Sequence, residues 1–288
     1  MRMLVFGKNG QVARALKDSA GDDVTALGRD EADLMAPGAA REAIAAHAPD
    51  IIVNASAYTA VDKAESDEAA ATRLNASAPE EMAVAAAQAG IPLIHVSTDY
   101  VFDGTTEDRL AENAAVNPLN VYGRTKCEGE RAVLNANPGA VILRTSWVFS
   151  EYGGNFVKTM LRLGAERDAL TIVADQKGGP TAAADIAAAI VTIAGKKHRG
   201  APGAGLYHYQ GAPTASWAEF AEKIFEIAGL SVKVSHIKTE DYPTPAKRPL
   251  NTILDCAKIE RDFGIAQPDW RIELRRVIAA LKEEGQAS

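Results

Sequence analysis

Short apolar runs alternate with longer alanine-rich stretches through the first half of this 288-residue chain. Five runs have the length and composition of buried strands: Arg2–Phe6, Val24–Leu27, Ile51–Val53, Leu93–Val96 and Val141–Arg144. The stretches between them have helical patterns: Gln11–Asp18, Ala39–Ala48, Lys63–Ala89 and Val121–Asn135. Repeated strand–helix alternation predicts an α/β fold, a doubly wound parallel sheet covered by helices on both faces.

The second half has a looser pattern after about Trp147. Its apolar segments are interleaved with helical stretches, and a proline-rich segment near residue 245 predicts an ordered loop. The apolar segments are Leu170–Val173, Gly205–Tyr209 and Val232–Ile237, and the helices lie near Asn155–Arg167, Ala182–Gly195, Ser216–Ala228 and Ile272–Glu284. We therefore expect a nucleotide-binding domain at 1–147 and a smaller α+β substrate lobe at 148–288, with elements that return to the first domain.

Composition excludes several kinds of partner. The net charge of −7 argues against nucleic acid and against an anionic membrane surface. The two cysteines have no metal-type spacing, and no apolar run reaches the 18 residues of a membrane span. We therefore expect a soluble, cytoplasmic protein that binds neither nucleic acid nor membrane.

A glycine-containing turn, Gly7-Lys-Asn9-Gly10-Gln11-Val12-Ala13, follows the first predicted strand and opens the first predicted helix. In this position Gly7 permits a tight turn, Gly10 lets the backbone approach a pyrophosphate, and the helix N-terminus supplies N–H donors. The turn predicts a dinucleotide site of the Rossmann type formed by Gly7, Asn9, Gly10, Gln11 and Val12. The alternative is an ordinary strand-to-helix turn that needs glycine for its backbone angles.

The choice of dinucleotide is encoded after the second strand, at Gly28-Arg29-Asp30. An acid at that strand end favours NAD, whereas an arginine accommodates the 2′-phosphate of NADP. Because Arg29 comes first, we expect NADPH to be preferred, with NADH still usable. The alternative is a solvated surface arginine in a charged loop.

Tyr122 and Lys126 are four residues apart within a predicted helix, so they share one face. Thr98 and Asp99 follow a predicted strand, at the end of the sheet where open α/β folds bind ligands. A nearby ammonium is expected to lower the pKa of a phenol, which makes Tyr122 a proton donor to a carbonyl under hydride attack. Ser-Thr-Asp is also a common capping sequence, and a lone Tyr-x-x-x-Lys is common by chance.

The chain resembles the extended short-chain dehydrogenase/reductase superfamily and, within it, the dTDP-4-dehydrorhamnose reductase family. The segments that carry the resemblance cover nearly the whole chain: Gly7–Val12, Val53–Glu65, Ser97–Gly104, Asn117–Lys126, Arg144–Phe149, Asp175–Thr181 and Tyr242–Pro249. The resemblance implies reduction of the C4 ketone of dTDP-4-dehydro-L-rhamnose to dTDP-L-rhamnose, with a dTDP-sugar as the partner molecule.

The resemblance also implies residue roles. Thr98, Tyr122 and Lys126 would be catalytic, and Lys126 would also contact the nicotinamide ribose. Further cofactor contacts would come from Asp33, Leu34, Ala55, Ala57, Tyr58 and Thr59, in addition to Tyr122 and Lys126. Substrate contacts would come from Thr98, Asp99, Trp147, Asn155 and Arg248. Asn75 would order a water near the lysine, or be an exposed helical residue. Trp147 could instead belong to the core, and Arg248 to a solvated surface pair.

Magnesium-bridged dimers are described for some members of the resembling family, with an acidic residue in the first helix. This chain has Arg14-Ala15 there and Ala184 after Gly179-Pro-Thr181. The sequence therefore supports no Mg²⁺ site and no other metal, and leaves open a monomer or a homodimer. The five histidines are scattered, and we expect His95, within a strand, to be structural.

Two other functions remain compatible with the sequence. A nucleotide-sugar epimerase or 4,6-dehydratase shares the tyrosine and lysine but recycles a tightly held NAD. A non-catalytic subunit, of the kind that regulates methionine adenosyltransferase, also resembles this family. The intact Thr98, Tyr122 and Lys126 favour catalysis.

Overall fold

The computed structural model describes residues 1–286. Within that range the strands are β1 (Met3–Phe6), β2 (Val24–Leu27), β3 (Ile51–Asn54), β4 (Leu93–Thr98), β5 (Val141–Thr145), β6 (Val148–Phe149), β7 (Ala169–Val173), β8 (Lys177–Gly178), β9 (Thr181–Ala182), β10 (Gly205–His208), β11 (Ala215–Ser216) and β12 (Lys233–Ile237).

The α-helices alternate with these strands. They are α1 (Gln11–Ala20), α2 (Ala39–His47), α3 (Val61–Ala64), α4 (Glu68–Thr72), α5 (Ala78–Ala89), α6 (Val121–Ala136), α7 (Phe156–Glu166), α8 (Ala183–His198), α9 (Trp217–Ala228), α10 (Ala257–Phe263) and α11 (Trp270–Gln286). A π-helical segment covers Arg73–Ser77, and 3₁₀ turns cover Gly21–Asp23, Asp99–Val101 and Thr239–Asp241.

Six parallel strands form the central sheet, in the order β10-β5-β4-β3-β1-β2. This confirms the doubly wound parallel sheet. The strand order reverses between β1 and β3, so the segments that follow these two strands diverge and leave a crevice. Gly7 follows β1 and Ala55 follows β3, which places both residues at this crevice.

The two faces of the sheet bury alternate side chains of its inner strands β1, β3, β4 and β5. Met3 and Val5 of β1 pack into a core that includes residues of α1 and α8, whereas Leu4 and Phe6 pack into a core that includes residues of α2 and α5. Burial on both faces explains why these strands are continuous apolar runs, without the alternation of half-exposed strands.

The second half divides between the central sheet and a core of its own. β10 pairs with β5, and α8 packs against α1, so these two elements join the first half. Helices α7, α9 and α11 and the parallel pair β7–β12 surround a separate core that includes Phe220, Ile224, Trp270 and Leu274.

One helix prediction is wrong. Lys63–Ala89 is not a single helix but is divided into α3, α4, the π-helical segment and α5. The backbone N–H groups of Ser66 and Asp67 bond to Lys63 and Ala64, which closes a turn between α3 and α4. The wide turn of the π segment brings Asn75 into the interior, where it is fully buried.

Candidate active site

The turn between β1 and α1 requires glycine. Gly7 has φ +105°, and a Cβ atom there would lie 2.9 Å from the backbone of Ala55 and Ser56. Gly10 caps α1, and a Cβ on it would lie 3.1 Å from the carbonyl oxygen of Gly7. The backbone of this turn can therefore be approached closely by a ligand, at the positive end of the α1 dipole.

A cavity of about 600 Å³ lies along this turn on the β2 side. Its walls include nine residues that the sequence assigned to a cofactor: Gly7, Asn9, Gly10, Arg29, Asp33, Leu34, Ala55, Ala57 and Thr59. Lys8 and Glu31 also line it and form an ion pair with each other, a contact that their spacing in the sequence did not predict.

A second cavity, of about 540 Å³, lies on the β4 side of the turn. It shares part of its wall with the first cavity, including Asn9, Gly10 and Ala57, so the two are contiguous. Its walls hold the predicted residues Gln11, Val12, Thr98, Asp99, Tyr122, Lys126, Trp147 and Asn155. The combined groove crosses the N-terminus of α1, which fits an extended dinucleotide with its pyrophosphate at that terminus.

Helix α6 places Tyr122 and Lys126 in the second cavity. The helix begins there because the Asn120 side chain accepts a hydrogen bond from the Gly123 N–H at 2.8 Å. Desolvation raises the pKa of Tyr122 to about 12. The expectation that Lys126 lowers the pKa of Tyr122 is therefore wrong here, because burial of the phenol outweighs the other influences on it.

The ammonium group of Lys126 is directed toward the sheet. Its Nζ donates to the carbonyl oxygen of Val96 at 2.7 Å and lies 3.5 Å from Nε2 of His95. Burial lowers the pKa of Lys126 to about 8. His95 was expected to be structural, and the structure places it in direct contact with the lysine.

Thr98 and Asp99 lie where β4 ends. The Thr98 hydroxyl donates to Oδ1 of Asp99 at 3.0 Å. Burial raises the pKa of Asp99 to about 6. Oδ2 of Asp99 and Oγ1 of Thr145, which also line this cavity, have no hydrogen-bond partner within the described part of the chain. Buried polar atoms without partners are rare, so these two are candidates for ligand contacts.

Asn75 fixes the loop that follows β3. Its Oδ1 accepts from the Tyr58 N–H at 2.8 Å, and its Nδ2 donates to the Tyr58 carbonyl oxygen and the Thr125 hydroxyl. The Tyr58 hydroxyl donates to Asp67, and its ring packs near α4 and α6. The predicted cofactor residue Tyr58 thus lies outside both cavities, and the alternative of an exposed Asn75 is wrong.

Trp147 has φ +46°, an unusual value for a bulky side chain, and lines the second cavity. Its indole is stacked on Trp217, with ring centroids 3.6 Å apart and planes at 8°. Trp217 also lines this cavity, and sequence reasoning missed it, because only the fold brings residues 147 and 217 together.

Asn155 and Arg248, the remaining predicted substrate residues, have protein partners. The Asn155 side chain caps α7 and donates to Oε1 of Gln11. Arg248 forms a two-bond ion pair with Asp62, at 2.8 and 2.7 Å. Arg248 lines a neighbouring cavity that does not contain Tyr122. The alternative of a solvated Arg248 is wrong, because its side chain is mostly covered.

Arg29 is an exposed side chain at the far end of the first cavity. Its Nε lies 4.0 Å from Oδ1 of Asp33, a loose surface pair that leaves most of the guanidinium free to move.

Comparison with known proteins identifies the family. The sequence model of the family described as the RmlD substrate binding domain matches residues 1–283. The chain belongs to this family. A relative named dTDP-4-dehydrorhamnose reductase, from Sinorhizobium fredii, is 49% identical over 294 residues, which cover 99% of each protein.

Solved structures give the same result for the RmlD family. The crystal structure of a dTDP-4-dehydrorhamnose reductase from Clostridium acetobutylicum is 35% identical, with a TM-score of 0.92 over 98% of this chain and 100% of that one. The enzyme of the same name from Bacillus anthracis, in complex with NADP, is 34% identical, with a TM-score of 0.91 over 97% and 99% of the two chains.

Two further findings concern ligands and membranes. Among residues 1–283 of this RmlD-family chain, whose side chains the structure describes, no group of three or more His, Cys, Asp or Glu is placed to hold a metal ion. No helix in the same range combines the length and the apolar character needed to cross a bilayer.

Proposed function

We propose that this chain reduces the C4 ketone of dTDP-4-dehydro-L-rhamnose to dTDP-L-rhamnose, with NADPH as the hydride donor. Membership of the RmlD family and the names of its relatives support the reaction. The observation that carries the proposal is that Thr98, Tyr122 and Lys126 line one cavity, which is contiguous with the groove along the glycine turn.

Tyr122 is the proton donor in this proposal. Its raised pKa of about 12 keeps the phenol protonated at neutral pH, ready to donate to the C4 oxygen. The cofactor, when bound, supplies the hydride. Lys126, one helical turn further on, stabilises the phenolate that remains. With substrate bound, the Thr98 hydroxyl turns from Asp99 and donates to the carbonyl oxygen, a bond worth about 0.5–1.5 kcal/mol net.

Substrate recognition in this proposal uses the unpartnered atoms. Asp99 Oδ2 accepts from a sugar hydroxyl group, and Thr145 Oγ1 accepts from or donates to another. Both buried polar atoms thereby gain a hydrogen-bond partner. Trp147 packs against the sugar ring. Asn155 and Arg248 contribute indirectly to substrate binding in this proposal. Asn155 holds the segment before α7, and Arg248 holds Asp62 in place.

Turnover by the Tyr122→Phe variant tests the role of the phenol. With freshly made dTDP-4-dehydro-L-rhamnose and NADPH, we expect kcat to fall by about 10²–10⁴ because the general acid is lost. Tyr152→Phe is the control, since the Tyr152 hydroxyl bonds to Asp18 on the surface, and it should keep the wild-type rate. Near-full turnover by Tyr122→Phe would contradict the proposed role.

The stoichiometry of the cofactor separates this reaction from the two alternatives. A reductase consumes one NADPH for each dTDP-L-rhamnose formed, which absorbance at 340 nm and NMR of the product measure together. An epimerase or dehydratase would convert its substrate without net consumption of NADPH. A regulatory subunit would bind a partner protein stably and consume none.

The preference for NADPH tests Arg29. We propose that this mobile guanidinium contacts the 2′-phosphate, a charge-assisted interaction worth roughly 1–2 kcal/mol. Arg29→Ala should lower kcat/KM for NADPH about tenfold and leave kcat/KM for NADH nearly unchanged. Arg41→Ala, an exposed arginine outside the groove, should change neither value. A strong NADH preference in the wild type that survives Arg29→Ala would refute this assignment.

We further propose that the enzyme acts in the cytoplasm, as a monomer or a homodimer, and needs no Mg²⁺ for assembly. Where some members of the resembling family have acidic residues that hold a bridging metal, this chain has Arg14, Ala15 and Ala184. Sedimentation with and without EDTA tests the last point, because a metal-bridged dimer would dissociate.

A further inference from the structure

A chain of three buried side chains runs behind the second cavity. Asn54 ends β3, His95 lies in β4 and Lys126 lies in α6, and each is at most 1% exposed. Nδ2 of Asn54 lies 3.0 Å from Nδ1 of His95, and Nε2 of His95 lies 3.5 Å from Nζ of Lys126. The imidazole thus stands between an amide and the lysine.

Ser56 fixes the orientation of the Asn54 amide. Its backbone N–H and its hydroxyl both donate to Oδ1 of Asn54, at 3.0 and 2.6 Å. The amide NH₂ must then face His95 and donate to Nδ1. Burial and the adjacent Lys126 hold the pKa of His95 well below its usual range, so the ring is neutral. A neutral ring that accepts at Nδ1 carries its proton on Nε2.

The Nε2–H bond of His95 therefore points at Lys126. An ammonium has three donors and no acceptor, so it meets this N–H unfavourably, whereas an uncharged amine has a lone pair that accepts from it. Nζ keeps its bond to the Val96 carbonyl oxygen in both forms. Hydrogen bonding thus favours the amine over the ammonium at this position.

We propose that Asn54 and His95 are positioning residues, which fix one imidazole tautomer and so shift Lys126 toward its uncharged amine. This inference rests on the proposed function, in which the ammonium form of Lys126 stabilises the Tyr122 phenolate, because the shift sets the pH above which that form is lost. The lysine loses one proton to solvent when it becomes the amine, and His95 keeps its own proton throughout.

Other charged groups around Lys126 oppose this shift or leave it unchanged. Glu130, one turn further along α6, favours the ammonium, but it is paired with Arg144 of β5 at 2.6 Å and also accepts from Ser97. Tyr122 and Asp99 line the cavity on the other side. Burial acts in the same direction as His95, toward the amine.

Nitrogen NMR of the unliganded protein tests the tautomer without any activity measurement. The chain has five histidines, so the ¹⁵N signals of His95 are assigned by their loss in His95→Gln. We expect Nδ1 without a proton and Nε2 with one. The Nε2 shift should move once as the pH rises through the ionisation of Lys126, and Lys126→Met should abolish that step. A proton on Nδ1, or a doubly protonated ring, would overturn the proposal.

Asn54→Asp tests whether the tautomer controls the lysine. A carboxylate can only accept, so the His95 proton moves to Nδ1, and Nε2 then accepts from the Lys126 ammonium. The new negative charge acts in the same direction. We expect kcat for ketone reduction to fall at high pH, where Lys126 loses its proton; this fall is the alkaline limb of the pH profile. In Asn54→Asp the alkaline limb should move up by about one pH unit, roughly the free energy of one hydrogen bond, and KM for the nucleotide sugar should be retained.

His208→Gln is the matched control. His208 is also a fully buried histidine, with Nδ1 against the Leu110 carbonyl oxygen and Nε2 against Arg144. Its loss should lower the melting temperature and leave the alkaline limb in place. An unmoved limb in Asn54→Asp, or an equal shift in His208→Gln, would sink the proposal. Loss of ketone reduction in the wild type would sink the reductase function alone, since the NMR result stands independently.

Discussion

Asp99 is a fully buried carboxyl group, and its two oxygens differ. Oδ1 accepts from the Thr98 hydroxyl, whereas Oδ2 has no partner within residues 1–286. Burial therefore raises the pKa of Asp99 to about 6, compared with 3.8 for an exposed aspartate. The folded protein binds a proton at this site more tightly than the unfolded chain does, so the ionised carboxylate destabilises the fold.

Asp99→Asn should stabilise the protein, and by an amount that depends on pH. The contribution of Asp99 to the stability of the wild type falls as pH rises from about 4 to about 6, and its full penalty is present above that range. The variant should therefore gain on the order of 2 kcal/mol at pH 8 and almost nothing near pH 4. Chemical denaturation at both pH values measures this.

Asp22→Asn is the control for the same change of charge, since Asp22 is fully exposed beside Lys17. It should change the free energy of unfolding little at either pH. An Asp99→Asn variant that is no more stable at pH 8 than at pH 4 would contradict a raised pKa.

The sequence predicted the cavity residues well where they follow a strand or open a helix. Gly7, Thr98 and Tyr122 lie in the groove because strand ends and helix N-termini meet at one edge of a parallel sheet. The ion pair of Arg248 was harder to predict, because its partner Asp62 is 186 residues away in sequence. The pKa of Tyr122 was predicted in the wrong direction, since the sequence does not reveal how deeply the phenol is desolvated.

At the scale of elements, glycines let α6 approach its neighbours closely. A Cβ on Gly123 would lie 2.1 Å from the Tyr100 carbonyl oxygen, and one on Gly129 would lie 1.9 Å from the Asn75 carbonyl oxygen. Neither distance is possible for a side chain. The position of α6, and therefore of Tyr122 and Lys126, depends on these two contacts.

Gly129→Ala should destabilise the protein by about 1–3 kcal/mol or more, because the added methyl group forces α6 away from the π-helical segment. Gly195→Ala is the matched control, a helical glycine in α8 whose Cβ would meet only the flexible Arg199 side chain, at 3.5 Å. It should be neutral or stabilising by up to about 1 kcal/mol. The melting temperatures of the two variants compare them directly. Equal effects would mean that close approach at Gly129 is unimportant.

Strands β1, β3 and β4 were predictable because each is buried on both faces and is an almost continuous apolar run. The division of Lys63–Ala89 into several helical segments was not predictable, because its alanine-rich sequence favours helix throughout. What shapes this stretch is tertiary: Asn75 bonds to the Tyr58 backbone, and Gly129 admits the π segment against α6. Neither contact leaves a local pattern in the sequence.

On the scale of the whole molecule, several contacts join the two halves of the chain. β10 completes the central sheet, α8 covers α1, and the Gln11 side chain bonds to Ser150 and Asn155. Gln11 lies at the N-terminus of α1, so the link between the halves runs through the groove itself.

Unfolding should therefore be a single cooperative transition. Trp217 and Trp270 lie in the second half, and Trp147 at the boundary is stacked on Trp217, so all three tryptophans report on the core of the second half. Hydrogen exchange in β3 and β4 reports on the first half. We expect tryptophan fluorescence, far-UV circular dichroism and loss of exchange protection to share one midpoint in denaturant. Midpoints that separate would mean that 1–147 and 148–288 unfold independently.

The stacked indoles of Trp147 and Trp217 have an optical consequence. Two parallel chromophores 3.6 Å apart couple their electronic transitions, and this pair forms part of the wall of the cavity that holds Tyr122. Any molecule that slides between the rings or tilts one of them alters that coupling. The spectroscopic signal of this indole pair therefore reports whether the cavity is occupied, without a dye or an added label.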